Sequence, residues 1–102
     1  MSKCYVFAYG TLLDPLLRFS ILGYPTTIIE SSITGFRLHD IVLSGERYPM
    51  LIEDPQQQRN IQGGYFEINA TDIEKLDFYE STAYCRKLII TAGGIKAWIY
   101  HG

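Results

Sequence analysis

Glu80 breaks two local rules at once. Thr71-Asp72-Ile73-Glu74 has the form of a capping box, with Thr at the N-cap and Glu three residues on, and it predicts a helix over roughly 72–80. Ile73 and Leu76 share one face of that helix at i and i+3, and Glu80 falls on the same face at i+7 from Ile73. A carboxylate is thereby directed at the apolar side. It also sits in the last turn, against the negative end of the helix macrodipole, at a cost of about 0.3–1 kcal/mol. Half-burial near carbonyl dipoles favours the neutral acid and raises the pKa. A carboxyl tuned toward neutrality can accept and donate a proton near pH 7, as general acid–base catalysis requires. The same residue also fits a salt bridge to Arg86 or Lys87, or a frayed helix end pointing to solvent. Asp77, also toward the inner face, reads as a structural hydrogen-bond acceptor.

A second segment with chemical capacity lies near the amino terminus. Tyr5-Val6-Phe7-Ala8 is a continuous apolar and aromatic run, read with its neighbours as a strand over 3–9 buried on both faces. It leads into Tyr9-Gly10-Thr11-Leu12 and then Asp14-Pro15, a helix N-cap with proline at the first helical position. The loop between has backbone N–H groups with no obvious partner, and such groups can hold an anion or a developing oxyanion. Gly10 removes a side chain that would block that approach. The segment equally fits a plain strand-to-helix turn.

The elements that must position these residues belong to one domain. A chain of 102 residues buries roughly 60–70% of its unfolded surface, and 47% hydrophobic content supplies a core without staples. A net charge of −2, with nine Lys and Arg scattered and no basic stripe, argues against a nucleic-acid partner. Cys4 and Cys85 are far apart, belong to no CxxC pair, and read as core thiols. His39 and His101 are isolated, so no metal site is expected. A Cys85–His39 nucleophile pair stays open, although nothing around either residue depresses the thiol pKa. No apolar run approaches the about 20 residues needed to span a bilayer, and the start of the chain has no long apolar leader. The expected setting is cytoplasmic, without membrane contact.

Along the chain, 15–22 reads as a short helix carrying Leu16, Leu17, Phe19, Ile21 and Leu22, ended by Gly23. The β-branched stretch 26–34 reads as a strand that Gly35, as a bulge or close approach, carries on into Phe36-Arg37-Leu38-His39. Ser44-Gly45-Glu46 signals a turn, Tyr48–Ile52 a strand entered through Pro49, and 54–60 an exposed polar loop. Ile61–Ile68 and Tyr84–Thr91 are extended, and Gly93-Gly94 turns the latter back into Ile95–Tyr100, the clearest hairpin. Many strands, two helices and no βαβ alternation indicate an α+β fold with a mixed or mostly antiparallel sheet.

Together these residues resemble the gamma-glutamylcyclotransferase-like family, in particular its gamma-glutamylamine cyclotransferase type. Phe7-Ala8-Tyr9-Gly10-Thr11-Leu12 is similar to the family's amino-terminal loop, and Ile33-Thr34-Gly35-Phe36-Arg37-Leu38 to its glycine–aromatic strand. Tyr48-Pro49-Met50-Leu51 resembles its tyrosine-proline element, and Ile61–Ile68 the strand that follows. Leu76-Asp77-Phe78-Tyr79-Glu80, with Tyr84 and Arg86 after it, is similar to the stretch carrying the family's catalytic glutamate. The segments occur in the family's order over nearly the whole chain.

The resemblance implies a compact, mostly antiparallel mixed β-barrel of about six strands flanked by two or more short helices, with no cofactor. It implies cleavage of a gamma-glutamyl amine or peptide by internal cyclisation to 5-oxoproline and a free amine, in a monomer or homodimer. Glu80 would be the catalytic residue. Tyr9, Gly10, Thr11 and Leu12 would bind the gamma-glutamyl group. Tyr84 would line the pocket or belong to the core, and Arg86 would bind a substrate carboxylate or form a structural ion pair. Arg47 is expected at the surface. A non-catalytic metabolite-binding module on the same pocket, or another amide-cleaving reaction, fits the same residues. Two departures stand out: Ser81 replaces a common glycine after the glutamate, and Met50 replaces one after the proline. A bulky Met50 beside the pocket would narrow it or alter the leaving group it admits.

Overall fold

The run from Tyr5 to Ala8 becomes the central strand of a five-stranded sheet. The computed structural model describes residues 2–102. Its elements are β1 (Lys3–Ala8), α1 (Pro15–Leu22), β2 (Ile29–Ile33), β3 (Phe36–Leu43), β4 (Glu46–Glu53), β5 (Ile61–Asn69), α2 (Ile73–Glu80), β6 (Cys85–Ile90) and β7 (Lys96–His101). The sheet order is β2-β5-β1-β7-β6, antiparallel except where β1 runs parallel to β7, and β3 pairs with β4 in a separate hairpin. The α+β class and the mixed, mostly antiparallel pairing agree with the sequence.

Alternation along β1 divides the interior into two cores. Val6 and Ala8 face the helices, joining Leu12, Leu22, Phe66, Ile68, Leu76 and Tyr100. Phe7 points the other way, against Phe36 and Leu51 of the hairpin and Ile33, Ile61 and Ile99 of the sheet. The sheet also curls. The Ala92 N–H, just beyond β6, donates to the Ser32 carbonyl of β2 at 2.9 Å, so the two edge strands touch. The Gly102 N–H donates to the Leu51 carbonyl at 2.7 Å and ties the end of β7 to the hairpin.

Several local expectations are corrected. Gly35 does not carry one strand through; at φ +85° it is a left-handed bend that ends β2 and starts β3, giving seven strands instead of about six. The capping box at Thr71 is absent. A single 3-10 turn at Ala70–Asp72 runs straight into α2 with no side-chain cap, and Asp72 instead accepts a hydrogen bond from the Tyr24 hydroxyl at 2.7 Å. In α1 the Asp14 cap forms as expected, its carboxylate accepting the Leu16 N–H at 2.9 Å. Of the residues of this helix, Leu16 and Phe19 are exposed and Arg18 is buried. Cys4 is partly buried, and burial pushes its thiol pKa up. Cys85 is exposed and is no core thiol. It pairs in register with His101, whereas His39 lies on the other ladder opposite Met50. Among the described residues, no helix is long and apolar enough to cross a membrane.

Candidate active site

At Ala8 the chain leaves the sheet through Tyr9 and Gly10 and makes one 3-10 turn, Thr11–Leu13. The turn closes through Leu13 N–H to Gly10 carbonyl at 3.0 Å and Asp14 N–H to Thr11 carbonyl at 3.1 Å. Among the described residues the N–H groups of Gly10, Thr11 and Leu12 meet no backbone acceptor. The free donors anticipated from the sequence are therefore present.

Three contacts hold this loop in shape. The Arg18 guanidinium donates from one nitrogen to the Leu12 and Leu13 carbonyls at 3.0 and 2.9 Å. Its Nε donates to Thr26 Oγ1 at 2.7 Å, and its plane lies 5.2 Å from the centre of the Phe66 ring. Burial pulls its pKa below the usual arginine value. The Tyr9 hydroxyl donates to the Tyr100 carbonyl, anchoring the loop to β7, and Thr11 Oγ1 and the Tyr79 hydroxyl lie 3.0 Å apart, linking the loop to α2. Sequence reasoning missed Arg18. The available signal was its i,i+4 spacing from Leu22, which puts the cation on the buried face.

Glu80 faces the same space. A narrow cavity of about 30 Å³ is lined by Tyr9 through Leu12, Glu80, Tyr84, Tyr48, Pro49 and Tyr100, among others. A ligand larger than a water or two must extend beyond it. It adjoins a groove of about 240 Å³ between the β3–β4 turn and the 3-10 turn at Ser81–Ala83, and Thr11, Tyr48, Glu80 and Tyr84 border both. Gly10 is required here by packing: a Cβ on it would lie 2.8 Å from Pro49 Cγ. Pro49 in turn is held by its carbonyl, which accepts the Tyr84 hydroxyl at 3.0 Å.

Burial pushes the Glu80 carboxyl up to about pKa 7. Neither cation that could have paired with it does so. Arg86 binds Asp77 at 2.8 Å and stacks over Trp98 at 4.6 Å, and Lys87 binds Glu53 at 2.7 Å. Asp77 also accepts the Tyr100 hydroxyl at 2.7 Å, so it is the structural acceptor expected of it. The hydroxyls of Tyr9, Tyr84 and Tyr100 are all raised in pKa, chiefly by burial. They remain neutral and serve as donors.

Of the residues singled out in the sequence, Glu80, Tyr9, Gly10, Thr11, Leu12 and Tyr84 come together. Arg86 does not line the cavity, and Arg47 is exposed. Met50 is turned away from it and packs on Gly102, where a Cβ would approach its side chain. Pro49 and Tyr48 occupy the position expected of Met50.

Ser81 adopts φ +61° and ψ −165°, backbone that glycine alone visits readily. The glycine it replaces would relieve that strain of about 1–3 kcal/mol, less the 0.5–1 kcal/mol glycine loses in folding entropy. Ser81→Gly should therefore raise the melting temperature by about 4–8 °C per kcal/mol gained, measured by calorimetry. An unchanged or lower melting temperature would show that the Ser81 backbone is not strained.

Comparison with known proteins decides the family. Residues 6–102 match the family model described as gamma-glutamyl cyclotransferase, AIG2-like. The chain belongs to that family. No curated protein matches the chain. Among solved structures, an Arabidopsis thaliana protein superposes with TM-score 0.79 at 20% identity, covering 99% of this chain and 62% of that one. A structure described as gamma-glutamyl cyclotransferase gives 0.76 at 14% identity, over 98% and 66%. An AIG2-like protein from Mus musculus gives 0.74 at 18%, over 100% and 78%. At these identities the likeness speaks for the fold. The chain spans less than two thirds of the length of the Arabidopsis protein.

Proposed function

We propose that this family member is a gamma-glutamyl cyclotransferase that cleaves small gamma-glutamyl amines or peptides to 5-oxoproline and a free amine. The observation that carries the reading is Glu80: a carboxyl that burial pushes up to about pKa 7, without an ion-pair partner among the described residues, lining one cavity with a loop of free N–H donors.

The chemistry needs no nucleophile from the protein. The substrate's α-nitrogen attacks its own γ-carbonyl carbon, a C–N bond to that nitrogen forms, and the C–N bond to the leaving amine breaks. The α-ammonium loses two protons and the departing amine gains two, so charge balances. Glu80 carries the two protons in turn from the attacking nitrogen to the leaving nitrogen, ionised again after each delivery. A pKa near neutrality suits both halves of that transfer. The Gly10 to Leu12 N–H groups meet the substrate carboxylate or the oxyanion, where preorganised donors are most effective. Holding the gamma-glutamyl chain curled supplies the rest, since a well-oriented intramolecular attack gains roughly 7–11 kcal/mol. Tyr84 supports this surface through Pro49. Arg86 acts through Asp77 and Tyr100 as a structural ion pair.

The test is a panel of gamma-glutamyl amines and dipeptides incubated with the protein and followed by mass spectrometry. Release of 5-oxoproline with stoichiometric amine is expected. Thermal stabilisation by the same compounds without product would mean a binding module in place of an enzyme.

A further inference from the structure

The groove outside Glu80 has a chemical character of its own. Its walls are Tyr48, Tyr79 and Tyr84 with Leu43 and Ala83, joined by Thr11, Ser44 and Ser81, and Glu80 borders both it and the narrow cavity. Leu43 is placed there by a two-residue hairpin turn in which Ser44 and Gly45 take φ +51° and +81°, the conformation of a tight hairpin connection. Among the described residues, no Lys, Arg or His lines the groove. The side chains of Arg86 and Lys87, close by in sequence, are engaged by Asp77 and Glu53. The Tyr48 hydroxyl donates to Glu46 at 2.8 Å, which fixes that ring.

Resting on the cyclotransferase reading, we infer that this groove is the leaving-group subsite and that it selects an uncharged aromatic or apolar amine over one bearing a carboxylate. Once the gamma-glutamyl part lies against the loop from Gly10 to Leu12, the scissile bond is near Glu80, and the groove is the space that opens next to it. Tyrosine faces and a leucine favour an aromatic or alkyl group. A carboxylate entering there meets Glu80 and, among the described residues, no Lys, Arg or His to pair with, an arrangement that selects against it. Leu43 is the specificity position, since it is partly exposed on a turn and its replacement leaves both cores untouched.

The test compares kcat/KM for gamma-glutamylbenzylamide and gamma-glutamylglycine, which share the gamma-glutamyl head and differ in the leaving group. The wild-type protein should prefer the benzylamide by about tenfold or more, and Leu43→Arg should narrow or reverse that ratio by raising turnover of the glycine compound. Turnover of both with equal or reversed preference would overturn the subsite and leave the cyclotransferase reading standing. Turnover of neither would overturn that reading. Calorimetry with the same two compounds on the wild-type protein then decides the groove: tighter benzylamide binding supports its apolar character, and equal or tighter glycine-compound binding refutes it.

Discussion

Glu80→Gln should cut 5-oxoproline release by about 100- to 10,000-fold, the range a positioned general acid–base contributes, while leaving the fold intact. Glutamine keeps the shape of the side chain and has no proton to exchange. Its neighbours lose no ion pair, because Arg86 and Lys87 are bound to Asp77 and Glu53. The wild-type protein should also show kcat/KM rising with pH through about 7, since the carboxylate must be ionised to take the ammonium proton. Stability carries the opposite sign. Burial raises the folded-state pKa from 4.5 to about 7, so between those values the native state holds more protons than the unfolded chain. Wild-type stability should fall as pH rises through that window, by about 3 kcal/mol at most. The mutant should lack that slope in urea titrations. Wild-type rates in Glu80→Gln would remove the residue from the mechanism.

Gly63→Ala should have the largest effect on folding. A Cβ there would lie 2.1 Å from the Ala8 carbonyl oxygen and 2.9 Å from Phe7 Cζ. Both neighbours belong to the central strand, and Phe7 is buried in the hairpin-side core. The backbone oxygen has nowhere to retreat without parting β1 from β5. A loss of about 3 kcal/mol or more is expected, at the upper end for overpacking, against a total of roughly 5–15 kcal/mol for a domain. The urea midpoint should drop accordingly, and because Ala8 leads directly into Tyr9 and Gly10, the folded fraction should bind gamma-glutamyl compounds more weakly. Gly93→Ala is the control, since nothing lies within 4 Å of a Cβ at that turn. A Gly63→Ala midpoint matching that control would show that the strands can part without cost.

What the sequence made legible follows from periodicity. Helical spacing put Glu80 on the face of Leu76, and a continuous apolar run marked the first strand as buried on both faces. The glycine after β1 and the Asp14-Pro15 cap located the loop correctly. The misreadings arise where tertiary contacts decide. Arg18 goes unremarked in a short apolar helix, yet the Leu12 and Leu13 carbonyls and the Phe66 ring draw it inward. Leu16 and Phe19 lie outside on the same helix. Met50, expected beside the pocket, packs on Gly102 instead, while its neighbours Tyr48 and Pro49 line the cavity. At Thr71 the sequence pattern was sound, but Asp72 was already committed to Tyr24, and a continuous 3-10 turn left no extended residue to serve as a cap.

The pairing of the Tyr9–Leu12 loop with Glu80 makes the central claim a reaction in which the substrate attacks itself and water takes no part. The most direct measurement is the product of a gamma-glutamyl amide incubated with the wild-type protein in ¹⁸O-water, read by mass spectrometry. The expected product is 5-oxoproline without ¹⁸O, in equal amount to the free amine and absent with Glu80→Gln. Glutamate carrying ¹⁸O would instead mean hydrolysis and would contradict the account.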